Sequence, residues 1–265
     1  MNLQLKGKRA LVTGSSTGIG EAIAHSLAAE GAAVIVHGRN EERAQAVAES
    51  IAAAGGTATW VLGDLSTDEG ADAVSKNALT GGPVDILVNN AGAYHPRPWQ
   101  QLTVADWQES YNTNLLAYVR MIYRILPAMK TLGWGRIIQI GSTVGIEPMA
   151  LQPDYGAATA ARHNLTVSLA RELKTTGITS NTVAPGAMLV ENTKNMLLQM
   201  AKQLNWGDNW EDIERNAAAQ LVQNDAGRLG RPHEVASAVT YLASPLADYI
   251  TGTLLRVDGG LTRSI

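Results

Sequence analysis

The chain has no cysteine, no phenylalanine and no large excess of either charge among its 265 residues. The absence of cysteine excludes disulfide bonds and thiolate metal sites, so we expect no metal centre, and it fits a reducing, cytoplasmic location. The net charge of −3 gives no electrostatic reason to expect a nucleic-acid partner. No run of about 18 apolar residues occurs, so we expect no membrane span. Residues 1–9 are too short and polar for a signal peptide.

The remaining composition is that of one folded domain. Hydrophobic residues make up 45% of the chain and charged residues 17%, without a Pro/Ser-rich linker or a block of like charges. A chain of this length can bury a large core without covalent staples. We therefore predict a single domain over residues 1–265.

Seven short apolar runs alternate with longer helical patterns. The runs are almost continuously apolar, as expected for strands covered on both faces, and they lie at 10–13, 33–37, 57–62, 86–89, 136–140, 178–183 and 254–257. Repeated strand–helix–strand order predicts right-handed crossovers and a parallel sheet. The predicted fold class is α/β, a Rossmann-type doubly wound parallel sheet of about seven strands with helices on both faces. Ligands of such sheets bind at the carboxyl ends of the strands.

Capping patterns predict four helix starts. Asn40 precedes two acids, and Ser66 and Thr103 each stand three residues before an acid, which is the capping-box spacing. Pro232 occupies a plausible first helical position. Residues 185–231 are predicted to be one long irregular stretch with a substrate lid at about 187–228, since connections of this length are usually lids or binding loops. A helical pair packed on the body or on another subunit is the alternative.

A glycine-rich segment follows the first strand. Gly14, Gly18 and Gly20 let the backbone turn tightly and approach a pyrophosphate, and the next helix presents free N–H groups to it. An ordinary tight strand-to-helix turn is the alternative. Residues 37–40, after the second strand, include no acid to bind the 2′-hydroxyl of NAD, whereas Arg39 can bind a phosphate through two hydrogen bonds. We therefore expect NADP(H), with NAD(H) or a merely solvated Arg39 as the alternatives.

Several motifs in this order resemble the short-chain dehydrogenase/reductase family over essentially the whole chain. The matching residues are 13–20, Asp64 and Leu65, 89–92, Asn114, Ser142, Tyr155, Pro185 and Gly186, and 250–260. The resemblance implies an oxidoreductase, a homotetramer or homodimer, that acts on a carbonyl or secondary alcohol of a small molecule. It also implies roles at the reacting oxygen. Tyr155 would exchange a proton with that oxygen, Ser142 would hydrogen-bond it, and Asn114 would hold a water in a proton relay.

The resemblance assigns further contacts. The implied cofactor-binding residues are Gly14, Ser16, Gly18, Ile19, Gly20, Arg39, Asp64, Leu65, Asn90, Gly92, Pro185, Gly186 and Met188. Aromatic and sulfur-containing residues near the predicted mouth suggest a roomy apolar substrate pocket. The candidates are Tyr94, His95, Met188 and Trp206, and the same residues could equally be packing.

Thr159 stands where the family has a catalytic Lys, four residues after Tyr155. In the family that Lys binds the nicotinamide ribose and its charge makes the phenol more acidic. A free phenol ionises near pH 10, so without a cation we expect weak activity, lowest in the oxidative direction. Val190 replaces a family Thr that helps to hold the nicotinamide. Arg162 lies two helical turns beyond Tyr155, and we expect it to be too distant to help and to have a surface or subunit-interface role.

The substitution leaves three functional hypotheses. Thr159 is either tolerated in, or was introduced into, an NADP(H)-dependent oxidoreductase. Alternatively, the protein binds its cofactor and performs non-redox chemistry as an isomerase or lyase, or it is a nucleotide-binding pseudoenzyme. Fold alone does not choose among them.

Overall fold

Seven parallel strands form one sheet. The computed structural model describes residues 2–263, and its strands are β1 (Arg9–Val12), β2 (Ala33–Gly38), β3 (Thr57–Leu62), β4 (Ile86–Asn89), β5 (Gly135–Ile140), β6 (Ile178–Pro185) and β7 (Leu254–Val257). The order across the sheet is β3-β2-β1-β4-β5-β6-β7, and all neighbouring strands are parallel. The predicted fold class is confirmed. The strand order reverses between β1 and β4, which is where sheets of this kind bind ligands.

Helices cover both faces of this sheet. In the described part of the chain they are α1 (Gly18–Ala29), α2 (Glu41–Ala53), α3 (Asp68–Leu79), α4 (Val104–Tyr111), α5 (Ala117–Leu132), α6 (Pro153–Glu172), α7 (Glu191–Leu204), α8 (Trp210–Ala217) and α9 (Pro232–Ala243). The side chains of successive strand residues point to opposite faces of the sheet, and each face has its own hydrophobic core. Val12 packs in the cluster under α1, α2 and α9, and Leu11 packs in the cluster under α3 and α5. Two buried faces explain why the strands are apolar without alternation.

The predicted helix starts are confirmed at three positions and wrong at one. The Asn40 side chain accepts a hydrogen bond from the Arg43 N–H at 2.9 Å, Thr103 forms a capping box, and Pro232 begins α9. Ser66 is not the cap of α3, because its backbone N–H donates to Asp64. The cap is Thr67, whose hydroxyl accepts from Gly70.

The segment after β6 is helical rather than irregular. It contains α7, α8 and a π-helical turn at Ala218–Val222, so the predicted irregular stretch is wrong and the alternative, a helical pair, describes it. The pair has its own apolar cluster, formed by Leu197, Ala201, Trp206, Ile213, Ala217 and Leu229. The role of residues 187–228 as a substrate lid stays a prediction.

Residues 2–263 contain neither a helix that could span a membrane nor a cluster of potential metal ligands. No helix there has the length and hydropathy that a bilayer crossing needs. No group of three or more potential metal ligands occurs in the same part of the chain.

Candidate active site

The glycine-rich loop leaves β1 at the point where the strand order reverses. Gly14 and Gly18 have φ angles of +62° and +64°, in the left-handed region that favours glycine. Gly20 lies so close to its neighbours that an added Cβ would stand 2.4 Å from the Gly14 carbonyl oxygen and 2.5 Å from Asn90 Nδ2. The Asn90 amide donates to the carbonyls of Thr13 and Gly14. Since β4 holds the loop in this way, its shape is fixed by the chain itself.

His37 fastens the same loop from the other side. The Gly14 N–H donates to His37 Nδ1 at 2.9 Å, and Nε2 lies 3.1 Å from the Gly63 carbonyl oxygen. The ring therefore accepts through Nδ1 and donates through Nε2, as a neutral imidazole does. Burial lowers its pKa to about 4. No feature of the sequence revealed this contact.

The stability of the protein is expected to fall as the pH is lowered from about 6.5 towards about 4. In the unfolded chain His37 takes up a proton near pH 6.5, whereas in the folded protein its pKa is about 4. The contribution of neutral His37 is complete above the unfolded pKa and is lost as the pH falls through the folded one, by about 3 kcal/mol in all. When urea unfolding is measured across this pH range, the free energy of unfolding should fall less towards acid pH in His37→Asn than in the wild type. Equal pH dependence in the two proteins would contradict this role.

Arg39 and Asp64 stand beyond the ends of β2 and β3. Both side chains are exposed, and no hydrogen bond of the Arg39 guanidinium occurs within residues 2–263. Hydrogen bonds from Ser66 lower the pKa of Asp64, and the charge of Arg39 lowers it further. Ser16 covers Gly38, with its Oγ 2.8 Å from where a Cβ on that glycine would stand. A hydroxyl and a free guanidinium thus lie at the end of β2.

Tyr155 and Ser142 lie at the carboxyl end of β5. Ser142 follows the strand after one glycine, and its Oγ accepts a 3.4 Å hydrogen bond from Val144. Tyr155 lies in the first turn of α6 and is half-buried. Helix α6 packs against the short turn Thr143–Gly145. The fold therefore brings the two hydroxyl side chains to one end of the sheet.

Asn114 is buried in a π-helical turn between α4 and α5. Its side-chain oxygen accepts from the Ala93 N–H at 3.0 Å, and its amide donates to the Ala93 carbonyl at 2.8 Å. Asn114 thus holds the loop after β4 in place. Gly92 lies so close to Asn114 that a side chain at position 92 would have no room. π-turns are frequent at functional sites. The water relay assigned to Asn114 stays a prediction.

Arg162 is buried rather than at the surface, so the predicted surface or interface role is wrong. It is 2% exposed. Its guanidinium donates to Thr159 Oγ1 at 2.6 Å, to the Ile140 carbonyl at 2.8 Å and to the Tyr118 hydroxyl at 2.9 Å. Its Cζ lies 5.5 Å from the ring centre of Tyr155. The expectation that no cation stands beside the phenol is therefore also wrong.

The rise of the helix alone overestimates the distance between the side chains of Arg162 and Tyr155. Seven residues correspond to about 10.5 Å along the axis, but helical side chains slant towards the N-terminus. The long side chain of Arg162 covers that distance. Burial by itself would lower the pKa of Arg162, but the hydroxyl groups of Tyr118 and Tyr155 offset this and the pKa is raised.

The remaining candidates fall into two groups. Tyr94 is half-exposed and packs against Tyr155, with ring centres 5.4 Å apart and ring planes inclined by 41°. His95 lines a small cavity of about 30 Å³ beside Asn114 and Asp154. By contrast, Trp206 is buried in the helical-pair cluster, so packing describes its side chain, and contact with a substrate stays a prediction.

The start of the helical pair meets the glycine loop. Met188 is buried and forms a backbone bridge with Gly230. Val190 lies directly before α7, and its Cγ1 is 3.5 Å from where a Cβ on Gly18 would stand. Gly186 lies against Asp258. The chain after β6 therefore forms one wall of the cleft.

Comparisons with known proteins agree with this geometry. Residues 8–201 match the family described as short chain dehydrogenase. The 3-oxoacyl-[acyl-carrier-protein] reductase FabG of Vibrio cholerae is 41% identical over 261 residues, which are 98% of this chain and 99% of the relative. The protein belongs to the short-chain dehydrogenase family and is an oxidoreductase of that class.

Solved structures of relatives share the whole fold. L-sorbose reductase from Gluconobacter frateurii, complexed with NADPH and L-sorbose, superimposes with a TM-score of 0.94 at 31% identity and covers 100% of both chains. A 3-oxoacyl (acyl-carrier-protein) reductase from Agrobacterium tumefaciens with NADP bound has a TM-score of 0.88 at 37% identity, covering 98% of this chain and 96% of that one.

Proposed function

We propose that the protein is an NADP(H)-dependent oxidoreductase that interconverts a carbonyl group and a secondary alcohol in a small molecule. The observation that carries the proposal is the position of Tyr155. Its phenol stands at the carboxyl end of the sheet with Ser142, and the glycine loop lies at the same end. A proton donor and a hydrogen-bonding hydroxyl beside a dinucleotide cradle suit hydride transfer to a carbonyl carbon.

The loop fits a dinucleotide. The N-cap residue of α1, Thr17, makes no side-chain cap hydrogen bond, so the first N–H groups of α1 are not satisfied by a cap. Together with the glycines of the loop they suit a pyrophosphate. The bound nicotinamide would supply hydride to the substrate or accept it. Asp64 and Leu65 would contact the adenine, and Asn90 and Gly92 would lie under the nicotinamide side.

The chain's own residues handle the proton. In reduction Tyr155 donates its hydroxyl proton to the carbonyl oxygen, and in oxidation it takes a proton from the alcohol. Ser142 donates a hydrogen bond to the same oxygen and holds it near the phenol. Tyr94 packs against the ring of Tyr155 in a tilted contact and so flanks the phenol. His95 and Met188 extend the proposed substrate side.

The preference for NADP(H) over NAD(H) rests on Arg39 and on the relatives. Arg39 is exposed, its guanidinium donates no hydrogen bond within residues 2–263, and residues 37–40 at the end of β2 include no acid. Two similar structures are described with NADP or NADPH bound. We propose that Arg39 and Ser16 bind the 2′-phosphate.

Replacing Arg39 with methionine is expected to weaken NADPH binding about 10- to 100-fold and to leave NADH binding unchanged. Hydrogen bonds to a charged group contribute about 1.5–3 kcal/mol, and only NADPH carries the phosphate that would lose them. Dissociation constants from nicotinamide fluorescence measure this. Arg43→Met is the matched control, because Arg43 is an exposed arginine of α2. Equal weakening of both cofactors in Arg39→Met would refute the assignment.

The substrate is proposed only as a carbonyl compound. The similar proteins are named for reduction of 3-oxoacyl groups on a carrier protein and of L-sorbose. The purified protein should oxidise NADPH in the presence of members of a panel of ketones and aldehydes. NADPH binding without redox turnover of any panel member, in either direction, would favour a non-redox role. Absence of NADPH binding would overturn the proposal.

We also propose assembly into a homotetramer or homodimer. The exposed side of α6 lines a cavity of about 490 Å³ formed by Asn164, Val167, Ser168, Arg171 and Glu172. This helix face is open to a second copy of the chain. Light scattering of the purified protein gives the assembly mass.

A further inference from the structure

We propose that Arg162 supplies the positive charge that stabilises the ionised form of Tyr155, in place of the lysine that position 159 lacks. The inference rests on the proposed function only in taking Tyr155 as the proton carrier. Arg162 contacts the phenol rather than the substrate. It is therefore a positioning residue that acts through Tyr155.

The charge of Arg162 has no compensating carboxylate. Among residues 2–263 no ion pair involves it, and its three hydrogen-bond acceptors are neutral oxygens of Thr159, Ile140 and Tyr118. Its Nε is buried without a partner. A buried unpaired charge is unfavourable. A negative charge that forms nearby is correspondingly stabilised.

Two phenols could carry that negative charge, and the geometry selects Tyr155. Tyr118 is fully buried; its hydroxyl donates to the Ile140 carbonyl while it accepts from Arg162. Burial raises the pKa of Tyr118, so that residue stays neutral. Tyr155 is half-buried at the cleft, and its ring lies 5.5 Å from the guanidinium carbon. Tyr118 therefore anchors the guanidinium, and Tyr155 is the phenol at the cleft on which the charge of Arg162 can act.

Other ionisable groups in this region do not supply the charge. Those facing this part of α6 are Tyr94, His95, Arg97, Asp106, Glu109, Tyr118, Asp154 and His163. Arg97 is paired with Asp106 at 2.6 Å. Burial and the neighbouring Arg162 lower the pKa of His163 to about 4, so it is neutral at neutral pH. In the part of the chain that the structure describes, Arg162 is the cation in contact with the phenol ring.

Thr159 has a defined part in this arrangement. Its hydroxyl accepts from Arg162 Nη2 at 2.6 Å and is fully buried. It orients Nη2 of the guanidinium, while the Ile140 carbonyl orients Nη1. The short Thr159 side chain therefore positions the guanidinium of Arg162, whose long side chain extends back from the next turn of the helix.

The test is an ultraviolet titration of tyrosine ionisation in the cofactor-free protein. For each protein, the titration of the same protein carrying Tyr155→Phe is subtracted. The difference isolates Tyr155 from the other six tyrosines of the chain. In Arg162→Met the isolated midpoint should rise by about two pH units, a hundredfold change in acidity, which a unit charge at about 5 Å produces. Arg162→Lys, which keeps the charge, should recover most of the shift. Circular dichroism at each pH verifies that the protein stays folded.

Two results would overturn the inference. One is an unchanged midpoint in folded Arg162→Met, even if activity fell, because a merely structural role does not move the titration. If Arg162→Met does not fold, Arg162→Gln, which keeps hydrogen-bonding groups but removes the charge, should raise the midpoint by a similar amount, and an unchanged midpoint there would equally overturn the inference. The titration needs neither cofactor nor substrate. A shifted midpoint in a protein without redox turnover would refute the proposed function and leave the inference standing.

Discussion

Tyr155→Phe is expected to lower kcat/KM about 10²- to 10⁴-fold in both directions. The phenylalanine ring keeps the packing against Tyr94 but has no proton to exchange, and acid–base catalysis by one side chain contributes about this factor. Steady-state rates with the best carbonyl substrate and with the corresponding alcohol measure the loss. NADPH affinity should be nearly unchanged, since the substitution removes one hydroxyl from the substrate side.

Tyr123→Phe is the matched control for this experiment. Tyr123 lies on α5 and is 73% exposed, so the same chemical change there should leave rates and cofactor binding at wild-type values. Residual activity above about a tenth of wild type in Tyr155→Phe would contradict the proton-carrier role. That outcome would direct attention to His95, a residue of the proposed substrate side whose imidazole can act as a general acid or base.

Thr159→Lys, which introduces the lysine that the resemblance implies at this position, is expected to destabilise the protein and not to raise its activity. Thr159 is fully buried and 2.6 Å from the Arg162 guanidinium. An ammonium there would face a second cation at about 4 Å, a repulsion of about 4 kcal/mol at an effective dielectric constant of about 20. Urea unfolding and kcat/KM measure the two effects.

The double variant Thr159→Lys with Arg162→Met is the decisive comparison. It moves the positive charge from position 162 to position 159 and removes the repulsion, so stability and turnover should both recover relative to the single variant. Thr159→Ser, which keeps the hydroxyl, serves as the neutral control. A single Thr159→Lys protein more active than wild type would mean that position 159 simply lacks its lysine and that Arg162 does not replace it.

The fold was predictable because each strand is buried on both faces. Leu11 and Val12 enter opposite cores, so both positions must be apolar and the run stands out from the amphipathic helices around it. The glycine loop was predictable for a similar reason, because Gly20 has no space for a side chain. Short-range signals were less reliable. Ser66 and Thr67 are adjacent capping residues, and the choice between them depends on the hydrogen bond from Ser66 to Asp64.

The site was predictable in its hydroxyl groups but not in its charge. Ser142 and Tyr155 follow fixed positions at the end of a strand and the start of a helix. The reach of Arg162 depends on side-chain direction and on acceptors from β5 and α5, which are distant in sequence. The loop contact of His37 is equally a product of strand pairing. The helices α7 and α8 were predicted only as the alternative to an irregular stretch, because their apolar residues pack mainly on each other.

A guanidinium has a practical consequence that an ammonium does not share. Arginine keeps its proton at any pH at which proteins remain folded, whereas lysine begins to lose its own near pH 10. The contribution of Arg162 to the electrostatic potential around Tyr155 therefore stays constant in alkaline solution. In the proposed role, the cation beside the phenol keeps its charge in the pH range in which a lysine at the same place would lose it.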